Sequence, residues 1–567
     1  MKHEQAYYDE IKQKFADERD LRLKLRPEGT SQFTSDLSGD LGKYAEDPYV
    51  TKISERTPIN DSVEVLFIGG GFSALLTSAR LRERGIESVR IVERGSDVGG
   101  TWYWNRYPGV ACDVVSYDYL PLLDELDYVP KHHYSRGDEI LNHCKAIAKK
   151  YNLYDLAVFQ TTVISTTWLE DEKTWCLKTD RGDTMKAKFV ICANGTLSKP
   201  KLARIDGIES YQGHSFHTSR WDYDYTGQDL SNLNDKVVGI IGTGATAVQA
   251  VPALGQQSKE LYIFQRTPSS IDIRDDWQTD QAWANSLLPG WQTERRNKAI
   301  RRSQPTEQQL HERRKYTQAE KIQHQENNNI DYMMRIHRRI DKEVDDPVVA
   351  DALKPWYMFM CKRPCFHNEY LATYNRQNVH LVDTHGEGIT QITAQGPVFK
   401  DQQFKLDLLI FATGFEVQKT GIYNKIMGKG GLDLEHKYSN GIRTLFGIHS
   451  VDYPNLFIMG GYQASFQFNL TYMLQTQGDH IADCIAHTRE NGFDMIEPHE
   501  EAEQWWVQEV INHRGKTTRN EDCTPGYYNF EGESQRRQDG NYNGGITRYL
   551  DHMESSRADM TKHYRFS

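Results

Sequence analysis

Three features of the sequence predict an α/β protein built from two Rossmann-like units. Val63–Ile68 is a short apolar run followed at once by Gly69-Gly70-Gly71-Phe72-Ser73-Ala74, and Val237–Ile241 is followed in the same way by Gly242-Thr243-Gly244-Ala245-Thr246-Ala247. Each combination reads as strand, tight turn and helix. The third feature is another buried strand, Leu406–Phe411, ending in the turn Ala412-Thr413-Gly414.

The elements then follow in chain order. Residues 1–60 form a polar extension in which Tyr7 to Leu25 can make one or two surface helices, broken by Pro27-Glu28-Gly29; no chemistry is expected of it. Residues 61–205 carry the first unit: the helix runs from near Ser73 to Gly85, and Ser88–Glu93 is its second strand. Residues 206–385 carry the second unit, with Leu261–Gln265 as second strand and a charged helical insertion over about 275–355. The basic runs there read as solvated helix faces. Residues 386–567 return to the first domain and end in a C-terminal loop near the substrate.

Both glycine turns fit G-x-G-x-x-G/A. The first glycine allows a tight turn, the second lets backbone approach a pyrophosphate, and Ala74 or Ala247 keeps the helix close to its strand. The free N–H groups and positive dipole end of each helix suit the anion. Glu93 ends the strand after the first turn, where a carboxylate accepts from ribose hydroxyls. After the second turn stands Gln265-Arg266-Thr267 instead, and Arg266 suits a 2′-phosphate, which points to NADPH rather than NADH. Two dinucleotides on one chain imply a flavin reduced by a nicotinamide. Disulfide reductases, flavin monooxygenases and flavin oxidases share this plan. Only Cys112 lies between Gly95 and Asp113, which counts against the reductases.

Composition narrows the field. The chain has 567 residues and a net charge of −11, which argues against nucleic acid as a partner. Its eight cysteines contain no CxxC pair and no zinc spacing, so reduced structural thiols are expected; Cys361 and Cys365 are spaced to share a helix face. No apolar run has the length of a membrane span and the N-terminus lacks an apolar leader, so a cytoplasmic location without membrane contact is expected.

Four further stretches carry a family resemblance. Tyr211-Gln212-Gly213-His214-Ser215-Phe216-His217-Thr218-Ser219-Arg220-Trp221-Asp222 resembles the fingerprint F-x-G-x-x-x-H-x-x-x-W-[P/D] of Baeyer–Villiger monooxygenases, with Tyr211 in place of Phe. Gly100 to Asp113 is similar to that family's G-x-W-x-x-x-x-[F/Y]-P-G-x-x-x-D signature. Lys362-Arg363-Pro364, followed by Tyr374–Val379, looks like the segment bearing its catalytic arginine, and Phe411–Phe415 is the fourth match. The resemblance spans about Val63 to Tyr549. Cys523 to Gly532 and Tyr119–Leu123 resemble the branch of cyclopentadecanone and polycyclic ketone monooxygenases, which accept bulky or large-ring ketones.

The resemblance implies an NADPH- and O2-dependent flavoenzyme that turns a small-molecule ketone into an ester or lactone through an FAD C4a-peroxide. It implies FAD contacts at Gly69, Gly71, Phe72, Ser73, Ala74, Glu93, Gly100, Thr101, Trp102, Asp113, Tyr119 and Val163. NADP contacts follow at Gly242, Thr243, Gly244, Ala245, Thr246, Ala247, Arg266, Thr267, Lys362 and Arg363. Arg363 becomes the catalytic cation, because a guanidinium keeps its charge in a dry site, and Asp113 the carboxylate that orients it. Gly213, His217, Trp221 and Asp222 take a coupling role between domains. Tyr527, Tyr528 and Phe530 are candidates for the substrate pocket, and no metal is expected. Two alternatives stay open: an N- or S-oxygenating flavin monooxygenase, and a non-catalytic nucleotide-binding redox module. Whether the chain works as a monomer or a small homo-oligomer is left open as well.

Overall fold

The computed structural model describes residues 2–25, 32–50, 52–417, 425–465, 469–513, 523–526, 528 and 538–567. The extension begins with a single helix, α1 (Lys2–Lys24), and continues through a short strand, β1 (Phe33–Thr34). The first domain follows as β2 (Asn60–Ile68), α2 (Phe72–Glu83), β3 (Val89–Val92), β4 (Ala157–Val158), β5 (Val163–Leu169), β6 (Thr174–Thr179) and β7 (Thr184–Cys192). A short β8 (Leu202–Ala203) leads out of it and pairs with β1. The second domain is β9 (His214–His217), β10 (Val237–Ile241), α3 (Ala245–Gln257), β11 (Glu260–Gln265), the helical insertion containing α4 (Gln318–Glu343), β12 (Val379–Asp383) and β13 (Leu408–Phe411). The chain then re-enters the first domain through β14 (Ile426–Met427), β15 (Leu456–Ile458) and α5 (Leu470–Glu490).

The second sheet is all parallel, in the order β12-β11-β10-β13-β9. Its central strands are buried on both sides, which is why VVGII and LLIF read as continuous apolar runs. The first sheet has the order β14-β5-β6-β7-β2-β3-β4, with β15 on β7. There β5, β6 and β7 form an antiparallel meander, and the other pairings are parallel.

One boundary moves. The second domain was expected to end at 385, but Leu408–Phe411 lies between β10 and β9 in the second sheet. An isolated apolar strand carries no mark of the sheet it joins, and only the pairing settles it. The helical insertion spans Gln281–Asn285 to Pro347–Ala352, within the expected range. Among the described residues, no helix is long and apolar enough to cross a membrane.

Four buried histidines set a pH window. Burial holds His217 and His480 near a pKa of about 3, and His143 and His449 near about 4, against the ordinary 6.5. The unfolded chain therefore binds more protons than the folded one as pH falls below 6.5 toward these values. Stability is complete above that pH and is lost progressively below it, by up to about 1.4 kcal/mol per unit for each histidine. Melting temperatures measured across this range should fall toward acid, and His480→Asn should flatten the slope; an unchanged slope would contradict the assignment.

Candidate active site

Both glycine turns close in the same way. Gly69 has φ +106 and Gly242 has φ +111, and a methyl group on either would stand within 2.7 Å of a carbonyl oxygen, that of Ala193 or of Ala412. Each turn thus crosses the end of the neighbouring parallel strand at a distance only glycine permits. The helices start on Gly71 and Gly244, and neither cap residue supplies a side-chain hydrogen bond. The N–H groups at each helix end therefore lack the usual capping partner, and space over Gly244 is open. This donor set fits a dinucleotide pyrophosphate at each turn. Glu93 is buried, and its two oxygens accept from the Gly70 and Gly95 N–H groups at 2.6 Å each, which fixes the carboxylate beside the first turn. Burial pushes its pKa up, and those two bonds oppose the shift.

A cavity of about 1860 Å³ runs between the domains. It is lined by Thr101, Trp102, Asp113 and Tyr119 from the first domain, and by Gly242, Thr243, Gly244, Ala245, Thr246, Arg266, Thr267, Lys362 and Arg363 from the second. Arg363 Nη2 donates to Asp113 Oδ2 at 2.6 Å, so the arginine of one domain meets the carboxylate of the other in this cleft. Trp102 Nε1 donates to the Tyr119 hydroxyl at 3.0 Å, and Phe72 packs edge-on against the Tyr119 ring. Ser73, Ala74 and Ala247 are buried in the first turns of their helices, while Val163 opens β5 within the core behind the sheet. Tyr528 lines the cavity; Tyr527 and Phe530 lie outside the described residues.

The fingerprint docks onto the first domain. His217 ends β9, fully buried: Ser219 Oγ lies 2.8 Å from its Nδ1, and its ring packs against Phe415. Held neutral by burial and by Arg220 nearby, it is no proton carrier near neutral pH. Trp221 is also buried, with Nε1 donating to Thr226, and Asp222 caps the helix Tyr223–Thr226 while accepting from His214. A methyl on Gly213 would strike the Tyr211 ring, whose hydroxyl donates to the Leu406 carbonyl. Two contacts that cross between domains come from Arg220 and Tyr223. The Arg220 guanidinium lies 3.9 Å from the Trp104 ring centre, and the Tyr223 hydroxyl donates to the Arg106 carbonyl at 2.6 Å. The two signatures therefore touch each other.

Sequence reasoning missed Gln249. It sits in α3, receives the Tyr107 hydroxyl on Oε1 at 2.9 Å, and donates from Nε2 to the Ala111 carbonyl at 3.0 Å. It ties the loop that leads to Asp113 onto the second domain. Arg274 was missed too; its Nη2 donates to the Cys112 carbonyl. A polar residue inside a helix or loop reads as solvent-facing, and no local pattern distinguishes these two.

The expectation of reduced thiols fails at one pair. Cys361 and Cys523 form a disulfide across 162 residues of sequence, with Cα atoms 5.2 Å apart. Pairing at that separation leaves no spacing pattern; the fold supplies it by laying residues 523–526 against the Lys362-Arg363 segment. Lys362 Nζ donates to the Pro525 carbonyl at 3.3 Å. Cys361 and Cys365 share no helix, for Cys365 opens the short strand Cys365–Phe366. Cys112 is a buried thiol, pushed up by desolvation and by Asp113.

Comparisons with known proteins show the family and the fold. Residues 66–336 match the pyridine nucleotide-disulphide oxidoreductase family. A Baeyer–Villiger monooxygenase of Stachybotrys chlorohalonatus is 42% identical over 568 residues, covering 94% of this chain and 90% of that protein. The chain belongs to the Baeyer–Villiger monooxygenases. The polycyclic ketone monooxygenase of Thermothelomyces thermophila superposes with a TM-score of 0.89 at 33% identity, covering 99% of both chains. OTEMO, solved in complex with FAD and NADP, gives a TM-score of 0.77 at 26% identity, covering 90% of this chain and all of that one. Like these Baeyer–Villiger enzymes, the chain has a mixed α/β fold with two Rossmann-like domains. The four cysteines within 66–336 are free thiols, and the Cys361–Cys523 bond lies outside that range.

Proposed function

We propose that this monooxygenase uses NADPH and O2 to convert bulky or large-ring cyclic ketones into esters or lactones, with FAD on the first glycine turn and NADPH on the second. The observation that carries this reading is the Arg363–Asp113 pair in the interdomain cleft, which the second glycine turn also lines. A bound FAD would supply the redox chemistry that activates oxygen, with NADPH as its reductant. The chain's own part is to hold both nucleotides by their phosphates, exclude water, and place a permanent cation where negative charge develops on the ketone oxygen. Arg363 keeps its charge in such a site, whereas a lysine can lose a proton there. Asp113, fixed through the Gln249 tether, orients the guanidinium. Oxidation of a soft nitrogen or sulfur needs no such cation, so the pair favours ketone chemistry. Likeness to a polycyclic ketone monooxygenase supports a large substrate. A cytoplasmic location belongs to the same reading.

The test is mass spectrometry of products from macrocyclic, steroidal, small-ring and aryl ketones, supplied with NADPH and air. Products one oxygen heavier than a bulky ketone, formed with NADPH far better than NADH in kcat/KM, are expected. Formation of only N- or S-oxides from added amines and sulfides, with every ketone untouched, would overturn the reading.

A further inference from the structure

The polar extension at the N-terminus, expected to do no chemistry, reaches the far end of the same cleft. Helix α1 is held on α4 by Lys12 to Glu326 at 2.6 Å and by Tyr8 to Asp331 at 3.1 Å, and Phe15 is buried among Met333, Met334 and Tyr357. From its last turns, Arg22 Nη1 donates to the Arg266 carbonyl at 2.5 Å and to Thr267 Oγ1 at 3.2 Å. Further along the chain, Gln32 Oε1 accepts from Arg266 Nη1, and the Gln32 carbonyl accepts from the Arg204 N–H at 2.9 Å. Two cations approach the Phe33 ring, Lys201 Nζ at 4.2 Å and the Arg266 guanidinium at 5.3 Å from its centre. Strand β1 fixes that ring by pairing Phe33 with Ala203 and Thr34 with Leu202.

These contacts converge on one turn. Thr243 Oγ1, from the second glycine turn, donates to the Thr267 carbonyl at 2.7 Å, so the turn bearing Arg266 is locked on one side by the dinucleotide turn and on the other by the extension. Leu25, Gln32, Phe33, Lys201, Arg204 and Arg266 all line the cleft, and the carboxylates facing it there are Asp206 and Glu387. An arginine side chain has several rotatable bonds. One whose backbone, guanidinium and stacking face are already engaged loses little freedom on meeting an anion. Resting on the reading that puts NADPH on the second turn, we propose that the extension is a working part of that nucleotide site. Arg22, Gln32 and Phe33 are positioning residues that hold Arg266 and Thr267 ready for the 2′-phosphate, and through them the extension sets the preference for the phosphorylated dinucleotide.

Isothermal titration calorimetry of the FAD-bound protein with NADP+, NAD+, adenosine 2′,5′-bisphosphate and 5′-ADP tests this directly, with flavin content and melting temperature as checks on folding. Gln32→Ala, Phe33→Ala and Arg22→Ala should each weaken NADP+ and the 2′,5′-bisphosphate about tenfold, the size expected for one charge-assisted contact. NAD+ and 5′-ADP should bind as before, and Phe33→Tyr, which keeps the ring, should restore NADP+ affinity. In turnover, KM for NADPH should rise with kcat unmoved. If Arg266→Ala abolishes the preference for NADP+ while the three extension variants leave it intact, the extension proposal is overturned and the 2′-phosphate reading stands. If Arg266→Ala itself leaves the preference intact, the reading of the site falls, and the proposal with it.

Discussion

Arg363→Ala should lower ketone oxidation by about 10²–10³-fold or more, the cost of removing one preorganised partner of developing negative charge. NADPH consumption should continue, now ending in hydrogen peroxide rather than in ester. The reason is positional. Arg363 faces the interdomain cleft and meets Asp113 at 2.6 Å, while the glycine turns that suit the nucleotides are built from other residues. Arg363→Lys should recover little, since a point charge on a flexible stem does not reproduce a planar guanidinium held by a carboxylate. Asp113→Asn keeps the size of the partner and removes its charge, so it should fall between wild type and Arg363→Ala. Oxygen uptake, peroxide release and ester yield, measured together, decide the matter. Ester formation at the wild-type rate in Arg363→Ala would end the assignment.

Gly109→Ala should be nearly as damaging, although Gly109 belongs to neither glycine turn. Gly109 has φ +78, and a methyl group there would stand 2.3 Å from the Gln249 carbonyl oxygen. Both sides of that contact are backbone, so the loop must retreat from α3. Retreat breaks the Tyr107–Gln249 and Gln249–Ala111 bonds and carries Asp113 away from Arg363. A misplacement of about 1 Å costs on the order of 10²-fold in rate. Each nucleotide should still bind its own domain, so the loss should appear in ester formation with raised peroxide release. Gly85→Ala is the control. It has φ +70 with nothing within 4 Å of the added methyl, and so carries backbone strain alone. Equal losses in the two variants would show that strain, and not the interdomain contact, is responsible.

Much of this was legible in the sequence because it is local. The two strand–turn–helix units, the buried strand at Leu408–Phe411 and the Arg363 and Asp113 candidates each lie in a short pattern set by backbone geometry or by a matched motif. What escaped depends on contacts between distant segments. Arg220 and Tyr223 lie in or beside the fingerprint, yet their role is visible only against Trp104 and Arg106. Gln249 reads as a surface residue of α3 until Tyr107 and Ala111 close on it. The extension looked like a polar appendage because Gln32 and Phe33 carry no periodicity, and their meeting with Arg266 spans more than two hundred residues. Leu408–Phe411 was found as a strand and placed in the wrong sheet for the same reason.

The Cys361–Cys523 bond makes the protein two preparations in one. A thiol reductant such as dithiothreitol, added routinely during purification, cuts the covalent link between the arginine-bearing segment and the stretch that follows Cys523. The entropic stabilisation of so long a closed loop, about 4–5 kcal/mol in the chain-entropy picture, goes with it. Melting temperatures gathered with and without reductant should therefore differ, the reduced protein unfolding first.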